Sequence, residues 1–418
     1  MQTLSGIQKL LEDARTASIE IRMLSNSRRQ SLLLTLAEMI EQRKEEIITE
    51  NERDLVKMED SNPKKDRLRL SPERIQGLVD SVRDVAALAD PIGNMLSEKQ
   101  LDNGLSVQKM SVPLGVVGMI YESRPNVTID VAALCLRSGN GAVLRGGSDA
   151  FHSNTVLVDI IHKALLDHRL SPQIVQLLPT DRVFVQDMLT ADGYIDIIIP
   201  RGSQALIDFV RANATVPTIE TGAGVCHTYV ADTADLQKAA DIVVNAKVSR
   251  PSVCNALDTM IVDEKVASDF LPMIVEGMEA HEVEIFADKM AYPILSASGY
   301  PHLQEAQEAD FGREFLSYKC SVKVVKEYKE ALAHIAKYSS KHSEAIISED
   351  QELCENFLKA VDAAAVYTNA STRFTDGGVF GLGAEIGIST QKLHARGPFA
   401  LEKLTTEKWV VRGDGQVR

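Results

Sequence analysis

Pro113-Leu114-Gly115-Val116-Val117-Gly118-Met119-Ile120-Tyr121-Glu122-Ser123-Arg124-Pro125-Asn126 is the stretch on which the fold turns. From Val116 to Ile120 it is a continuous apolar run, and a polar, proline-containing turn follows at once. A strand apolar at nearly every position is buried on both faces, as in a parallel sheet covered by helices. The same texture repeats outward at Ala142 to Leu144, Val175 to Leu178, Ile195 to Ile199 and Val216 to Ile219. Amphipathic stretches lie between, such as Asn154 to His168 and Gln204 to Ala212, which is the alternation of an α/β domain. A second series follows Gly224, with strands at Leu257 to Val262, Val322 to Val325, Ala345 to Ile347 and Ala364 to Tyr367. Its helices begin near Glu264, Lys326 and Asp350. The chain therefore reads as two α/β domains joined near residue 222.

The flanks differ. The first sixty residues read as helix, with Leu33, Leu36, Ala37 and Ile40 at helical spacing and Asn62-Pro63 as a break. Ser71-Pro72-Glu73 looks like the cap and first turn of another helix. Residues 101 to 112 alternate apolar and polar around Asp102-Asn103-Gly104, an extended hairpin-like excursion. Lys408 to Val417 is strand-like with no partner nearby in sequence, so pairing with another subunit is expected, against the alternative of a tail packed on its own domain.

The 418 residues carry a formal net charge of -14, which disfavours nucleic acid and anionic membranes as partners. No run approaches the length of a membrane span, and Met1 to Lys9 shows no signal peptide. Five scattered cysteines without a Cys-x-x-Cys pair suggest reduced thiols and a cytoplasmic protein. The nine histidines form no ligand-spaced cluster, so no metal site is expected.

Four segments could carry chemistry. Cys254 ends the polar loop Ser249-Arg250-Pro251-Ser252-Val253, just before an apolar strand, and the neighbouring Arg250 would favour a thiolate. The competing reading is a buried structural cysteine, which suits Cys135 and Cys320 better; Cys354 lies on a charged helical stretch and Cys226 is intermediate. Asn126, after a strand, could present its amide to a reacting carbonyl, or simply belong to a Pro-Asn turn. Arg145-Gly146-Gly147-Ser148 and Arg201-Gly202-Ser203 both join a strand to a helix, where backbone amides favour phosphate, yet neither is a G-x-G-x-x-G fingerprint. Glu220-Thr221-Gly222-Ala223-Gly224 lies at the domain junction, its Glu a possible base and its glycines a possible hinge.

In this order the segments resemble the aldehyde dehydrogenase superfamily over nearly the whole chain. The likeness is densest at 113–128, 144–148, 226–227, 250–255, 369–378, 397–398 and 411–413. It implies an aldehyde-dehydrogenase-like fold with two parallel-sheet α/β domains and a small β oligomerisation extension. The cofactor domain would span 1–96 and 113–222, the catalytic domain 223–403, and the oligomerisation strands 97–112 and 404–418. By resemblance, Cys254 matches the thiol nucleophile and Asn126 the oxyanion amide. Arg145, Gly146, Gly147, Ser148, Gly202, Ser203 and Glu314 match cofactor-contacting positions. Ser148 stands where many NAD-preferring relatives carry a carboxylate, so beside Arg145 it permits NADP or NADPH. The closest likeness is to the branch that reduces an acyl phosphate, which implies L-glutamate 5-phosphate as substrate, reduced to the 5-semialdehyde on the way to proline. Arg124 and Arg250 are candidates for gripping its phosphate or carboxylate. A homodimer or homotetramer and functional coupling to glutamate 5-kinase are also implied. Two rivals stand beside this reading. A hydrolytic dehydrogenase would use Glu220 as base and need no phosphate, and a silent scaffold member would be expected to have lost Cys254 or Asn126.

Overall fold

The computed structural model describes residues 6–60, 62 and 64–418. Most of the Met1 to Lys9 segment read for a signal peptide, and Pro63 of the Asn62-Pro63 break, lie outside those residues. Among the described residues no helix is long and apolar enough to cross a membrane. The chain divides into two compact units, one of residues 1–221, 381–387 and 398–418, the other of 222–380 and 388–397.

The first unit opens with helices α1 (Gln8–Arg22), α2 (Asn26–Gln42), α3 (Lys44–Leu55), α4 (Lys64–Leu68) and α5 (Pro72–Ala87). Leu33, Leu36, Ala37 and Ile40 of α2 are fully buried, as their spacing predicts. Ser71 caps α5 by accepting from the Arg74 N–H at 3.3 Å. Strands β1 (Met95–Gln100) and β2 (Ser106–Pro113) form the expected antiparallel hairpin. There follow β3 (Val116–Tyr121), α6 (Asn126–Arg137), β4 (Gly141–Gly146), α7 (Phe151–Asp167), β5 (Val175–Leu177), α8 (Arg182–Leu189), β6 (Ile197–Arg201) and α9 (Gln204–Asn213). The four-stranded sheet is parallel, in the order β5-β4-β3-β6. Every residue of β3 is buried, which is why it reads as an unbroken apolar run. Leu11 and Ala14 of α1 pack with Val116, Ile120, Val143 and Ile198 of this sheet.

Val216 to Ile219, expected as a strand, contributes only an isolated bridge between Thr218 and Ile198. Pro217 has no N–H to continue a ladder, so the segment is held by two bonds around Ile198.

The second unit contains β7 (Cys226–Val230), α10 (Leu236–Val248), β8 (Leu257–Asp263), α11 (Glu264–Met273), α12 (Val275–Glu279), β9 (Glu284–Ala287), α13 (Ala291–Ala297), β10 (Leu303–Glu305), β11 (Lys319–Val325), α14 (Tyr328–Tyr338), β12 (Ser343–Ile347), α15 (Gln351–Ala360) and β13 (Ala365–Thr368). The seven strands run parallel in the order β10-β9-β11-β8-β7-β12-β13. Met260 and Val262 of β8 face one apolar cluster with Phe270 and Leu271, whereas Ile261 faces another with Ile346 and Phe357. Both faces of the sheet are thus covered, as expected for two parallel-sheet α/β units.

Two short strands, β14 (Ile388–Ser389) and β15 (Gly397–Pro398), precede β16 (Thr405–Arg412). The C-terminal strand was expected to seek another subunit. Instead β16 pairs antiparallel with β2 of its own chain along its whole length, from Thr405 opposite Pro113 to Arg412 opposite Ser106. Residues 381–387 and 398–403, which the sequence places in the catalytic domain, group with the first unit. The reason is local: the Ile386 N–H donates to the Phe399 carbonyl at 2.9 Å, and the Leu404 carbonyl accepts from Asn140 Nδ2 at 2.9 Å.

Candidate active site

In an open parallel sheet ligands bind beyond the strands' carboxyl ends, where the order of strands reverses. In the first unit that point lies between β3 and β6. Glu122 leaves β3 there and its N–H donates to the Arg201 carbonyl at 3.1 Å. Its carboxylate accepts from the Ser203 N–H at 3.2 Å, and Ser203 caps α9 through Leu206. A Cβ on Gly202 would meet the Glu122 carboxylate and Leu206 at 2.9 Å, so the turn has room for backbone approach only while residue 202 has no side chain. Alongside, Arg145 is the last residue but one of β4, its Nη2 donating to the Thr180 carbonyl at 2.6 Å. Its buried Nε has no hydrogen-bond partner. Burial weakens its charged form while Glu122 supports it. Gly146 and Gly147 pack against Asn154 and Asp149, and Ser148 is exposed.

The start of α7 differs from what the glycines suggest. Its His152 and Ser153 amides already donate to the buried Asp54 carboxylate, at 3.2 and 2.8 Å. The amides that a phosphate would meet there are engaged by a carboxylate of the same unit.

Asn126 is the first residue of α6, and its Nδ2 donates to Asp130 Oδ2 at 3.0 Å, one turn on. Burial pushes the Asp130 carboxyl up to about 6, with the Asn126 bond and Arg201 pulling the other way. The turn before the helix holds Ser123 at a φ of 47°, unusual for a residue with a side chain, and its hydroxyl donates to Asp149. Arg124 lies in that turn, half-buried. Glu220 lies 3.4 Å from Arg211.

In the second unit Cys254 sits in the turn before β8. It alone among the five cysteines is not buried. Burial raises the thiols of Cys135, Cys226 and Cys354, and pushes Cys320 up to about 11. That separation sets Cys254 apart from the other four thiols. Gly224 packs so closely on the turn that a Cβ would fall 1.6 Å from the Cys254 carbonyl oxygen. The Gly224 N–H donates to Glu314 Oε1 at 2.8 Å, which ties Glu314 and Cys254 into one arrangement. The loop carrying Glu314 is pinned to β8, because the Phe315 N–H donates to the buried Asp258 at 3.0 Å. Asp258 is pushed up to about 7 by burial, with Lys247 opposing from 3.8 Å.

One participant was missed. Arg373, 119 residues beyond Cys254, donates to Asn255 Oδ1 and, through Nε at 3.2 Å, to Ser249. Its segment falls inside a stretch singled out for resemblance, yet nothing local in the sequence points it at the Cys254 turn. Arg250 beside that turn is exposed.

A sequence model of the aldehyde dehydrogenase family matches residues 2–310. The chain is 54% identical over 414 residues to the gamma-glutamyl phosphate reductase of Chlorobium phaeobacteroides, covering 99% of each. It is 52% identical to that of Bacteroides thetaiotaomicron, covering 96% of each. The crystal structure of gamma-glutamyl phosphate reductase from Thermotoga maritima superposes with a TM-score of 0.94 at 42% identity, covering 99% of both chains.

Proposed function

From the premise that this chain belongs to the aldehyde dehydrogenase family and is an oxidoreductase, we propose that it reduces L-glutamate 5-phosphate to L-glutamate 5-semialdehyde and phosphate, as a step towards proline. The observation that carries the mechanism is the Cys254 turn. Its thiol is the only one clear of the core, and its backbone is braced by Gly224 and Asn255.

The Cys254 thiolate attacks the acyl-phosphate carbonyl, and the carbon–oxygen π pair moves onto the oxygen. Asn126 donates its amide N–H to that oxyanion, a contact worth roughly 3 kcal/mol in the transition state. Its bond to Asp130 restrains its rotamer. Collapse expels phosphate, leaving a γ-glutamyl thioester. When bound, the nicotinamide supplies the hydride that takes the thioester to the aldehyde level. The oxyanion then re-forms its carbonyl and the carbon–sulfur bond breaks, releasing the aldehyde and the Cys254 thiolate. Arg124 and Arg250 bind the anionic ends of the substrate.

Family membership implies a nicotinamide cofactor, and NADPH is the form proposed. The chain's residues fit it: Gly202 leaves a side-chain-free approach at the switch point, Arg145 keeps a buried N–H without a partner, and Glu314 is fixed by Gly224 to take a ribose hydroxyl. Arg145, Gly146, Gly147, Ser148, Gly202, Ser203 and Glu314 would hold it. Ser148 brings no charge of its own against a 2′-phosphate.

The sheet β1-β2-β16 supports a homodimer or homotetramer. Met95 and Leu96 of β1 and Trp409 and Val411 of β16 are exposed, and such apolar surface is suited to a second copy. Functional coupling to a glutamate 5-kinase would shorten the life of the labile acyl phosphate in water.

The test is NADP reduction by the purified protein with glutamate 5-semialdehyde, with and without phosphate, beside Cys254→Ser. Activity needing both phosphate and Cys254 is expected, with the variant reduced at least ~10⁴-fold. Phosphate-independent activity would instead favour hydrolysis with Glu220 as base.

A further inference from the structure

The residue after the nucleophile is held with unusual redundancy. Asn255 Nδ2 donates to the carbonyls of Arg373 and Thr375 at 3.2 and 2.9 Å, and its own carbonyl accepts from Thr372 Oγ1 at 2.8 Å. Its remaining oxygen accepts from the Arg373 guanidinium. The Arg373 backbone is fixed as well, its N–H donating to the buried Ser371 hydroxyl at 3.3 Å.

These contacts place a half-buried guanidinium at the Cys254 turn, bonded to two neutral acceptors, Asn255 and Ser249. Among the described residues no carboxylate comes within ion-pair distance of it, although the chain carries fifty-nine acidic residues. The cation nearest to it in effect is a second one, Arg250, and burial together with Arg250 works against its charge, with Asp376 opposing. A desolvated guanidinium beside a like charge is costly unless an anion arrives, and its planar fork matches the oxygens of phosphate or carboxylate.

We propose that Arg373, backed by Arg250, is a specificity-determining residue that seats an oxyanion group of the substrate at the Cys254 turn. The proposal rests on the reductase reading for what that group is, namely the transferable phosphate or the α-carboxylate of the glutamyl chain. The hydrogen bonds to Asn255 and Ser249 aim the guanidinium, and Asn255 links its position to that of the nucleophile.

The experiment compares Cys254 alkylation by iodoacetate, which carries a carboxylate, with that by neutral iodoacetamide, in wild type, Arg373→Met, Arg373→Lys and Arg250→Met. The ratio of the two rates cancels changes in the thiol itself. It is expected to fall roughly 10-fold in Arg373→Met, less in Arg373→Lys, and inorganic phosphate should slow alkylation of wild type far more than of Arg373→Met. In the enzymatic assay the KM for one anion should rise about 10-fold or more with kcat changed only a few-fold. A rise for phosphate marks a phosphate seat, and a rise for the semialdehyde marks a carboxylate seat. An unchanged iodoacetate preference, or a fall in kcat alone, overturns the proposal and leaves Arg373 as a brace. Should Arg373→Met fail to fold, Arg373→Lys and Arg250→Met carry the same comparison. A preference that depends on Arg373 in a protein without phosphate-dependent activity would keep the oxyanion seat and reject the reductase reading.

Discussion

The two units treat anions in opposite ways. In the first, backbone amides at the starts of α7 and α9 look ready for phosphate, but Asp54 and Glu122 already accept from them. In the second, the Cys254 turn gathers Arg373 and Arg250 with no carboxylate at ion-pair distance from either, among the described residues. Where a helix start is answered by a buried carboxylate of its own unit, as α7 is by Asp54, the geometry serves the fold. Where a guanidinium is aimed with no carboxylate at ion-pair distance, a ligand anion is the proposed partner. A glycine-rich strand-to-helix turn is therefore a weaker indicator of a phosphate site than the charge it has left unanswered.

Variants can break this contrast. Asn126→Ala is expected to lower kcat by about 10²–10³-fold with little change in stability, since the first unit would act on the reacting carbonyl through this neutral amide. A kcat within a few-fold of wild type would remove Asn126 from the chemistry. Gly224→Ala should cost about 10²-fold in kcat/KM, because its Cβ cannot coexist with the Cys254 carbonyl and the turn must shift. Gly77→Ala in α5 makes the control, for a Cβ there meets nothing within 4 Å. Asp54→Ala should lose about 1–3 kcal/mol in a urea titration while the cofactor KM stays put. A cofactor effect with no loss of stability would make α7 a ligand site after all.

The smallest expected effect is one of pH. Asp130 titrates near 6 in the fold, above the usual unfolded value of about 3.9. Its protonated form is therefore the one favoured by folding. That contribution is fully present below about pH 4 and is lost as pH rises through 6. Relative to Asp130→Asn, wild type should lose about 1–2 kcal/mol between pH 4 and pH 7 in denaturant midpoints. Equal slopes would show that Asp130 is solvated rather than buried.

The strands buried on both faces were legible because burial forces an unbroken apolar run, as from Val116 to Ile120. β7 was not, since its buried Cys226, His227 and Thr228 are polar or ambiguous in type; His227 is buried only because Glu344 of β12 answers it at 3.0 Å. Such a partner is invisible until the sheet is assembled. Pro217 did announce itself against a strand, and the apolar residues around it outweighed the signal. Cys254 and Asn126 could be singled out from their turns, while the roles proposed for them came only with the resemblance. Arg373 could not, because its role is created by long-range bonds to Asn255, and no spacing rule reaches across that interval. The fate of β16 was hidden for the same reason, its partner lying near residue 110.

That last pairing has a consequence for biogenesis. β1 and β2 emerge from a ribosome long before the strand that covers them, since Pro113 must wait for Thr405. At about 5–20 residues per second this leaves the edge of β2 bare for roughly 15–60 s, while the whole second unit is being made. An open strand edge is a template for mispairing with neighbouring nascent chains. Translation speed and chaperone supply, rather than equilibrium stability, would then limit the yield of this protein. A circular permutant that brings β16 next to β1 and β2 should reach its native state with less aggregation.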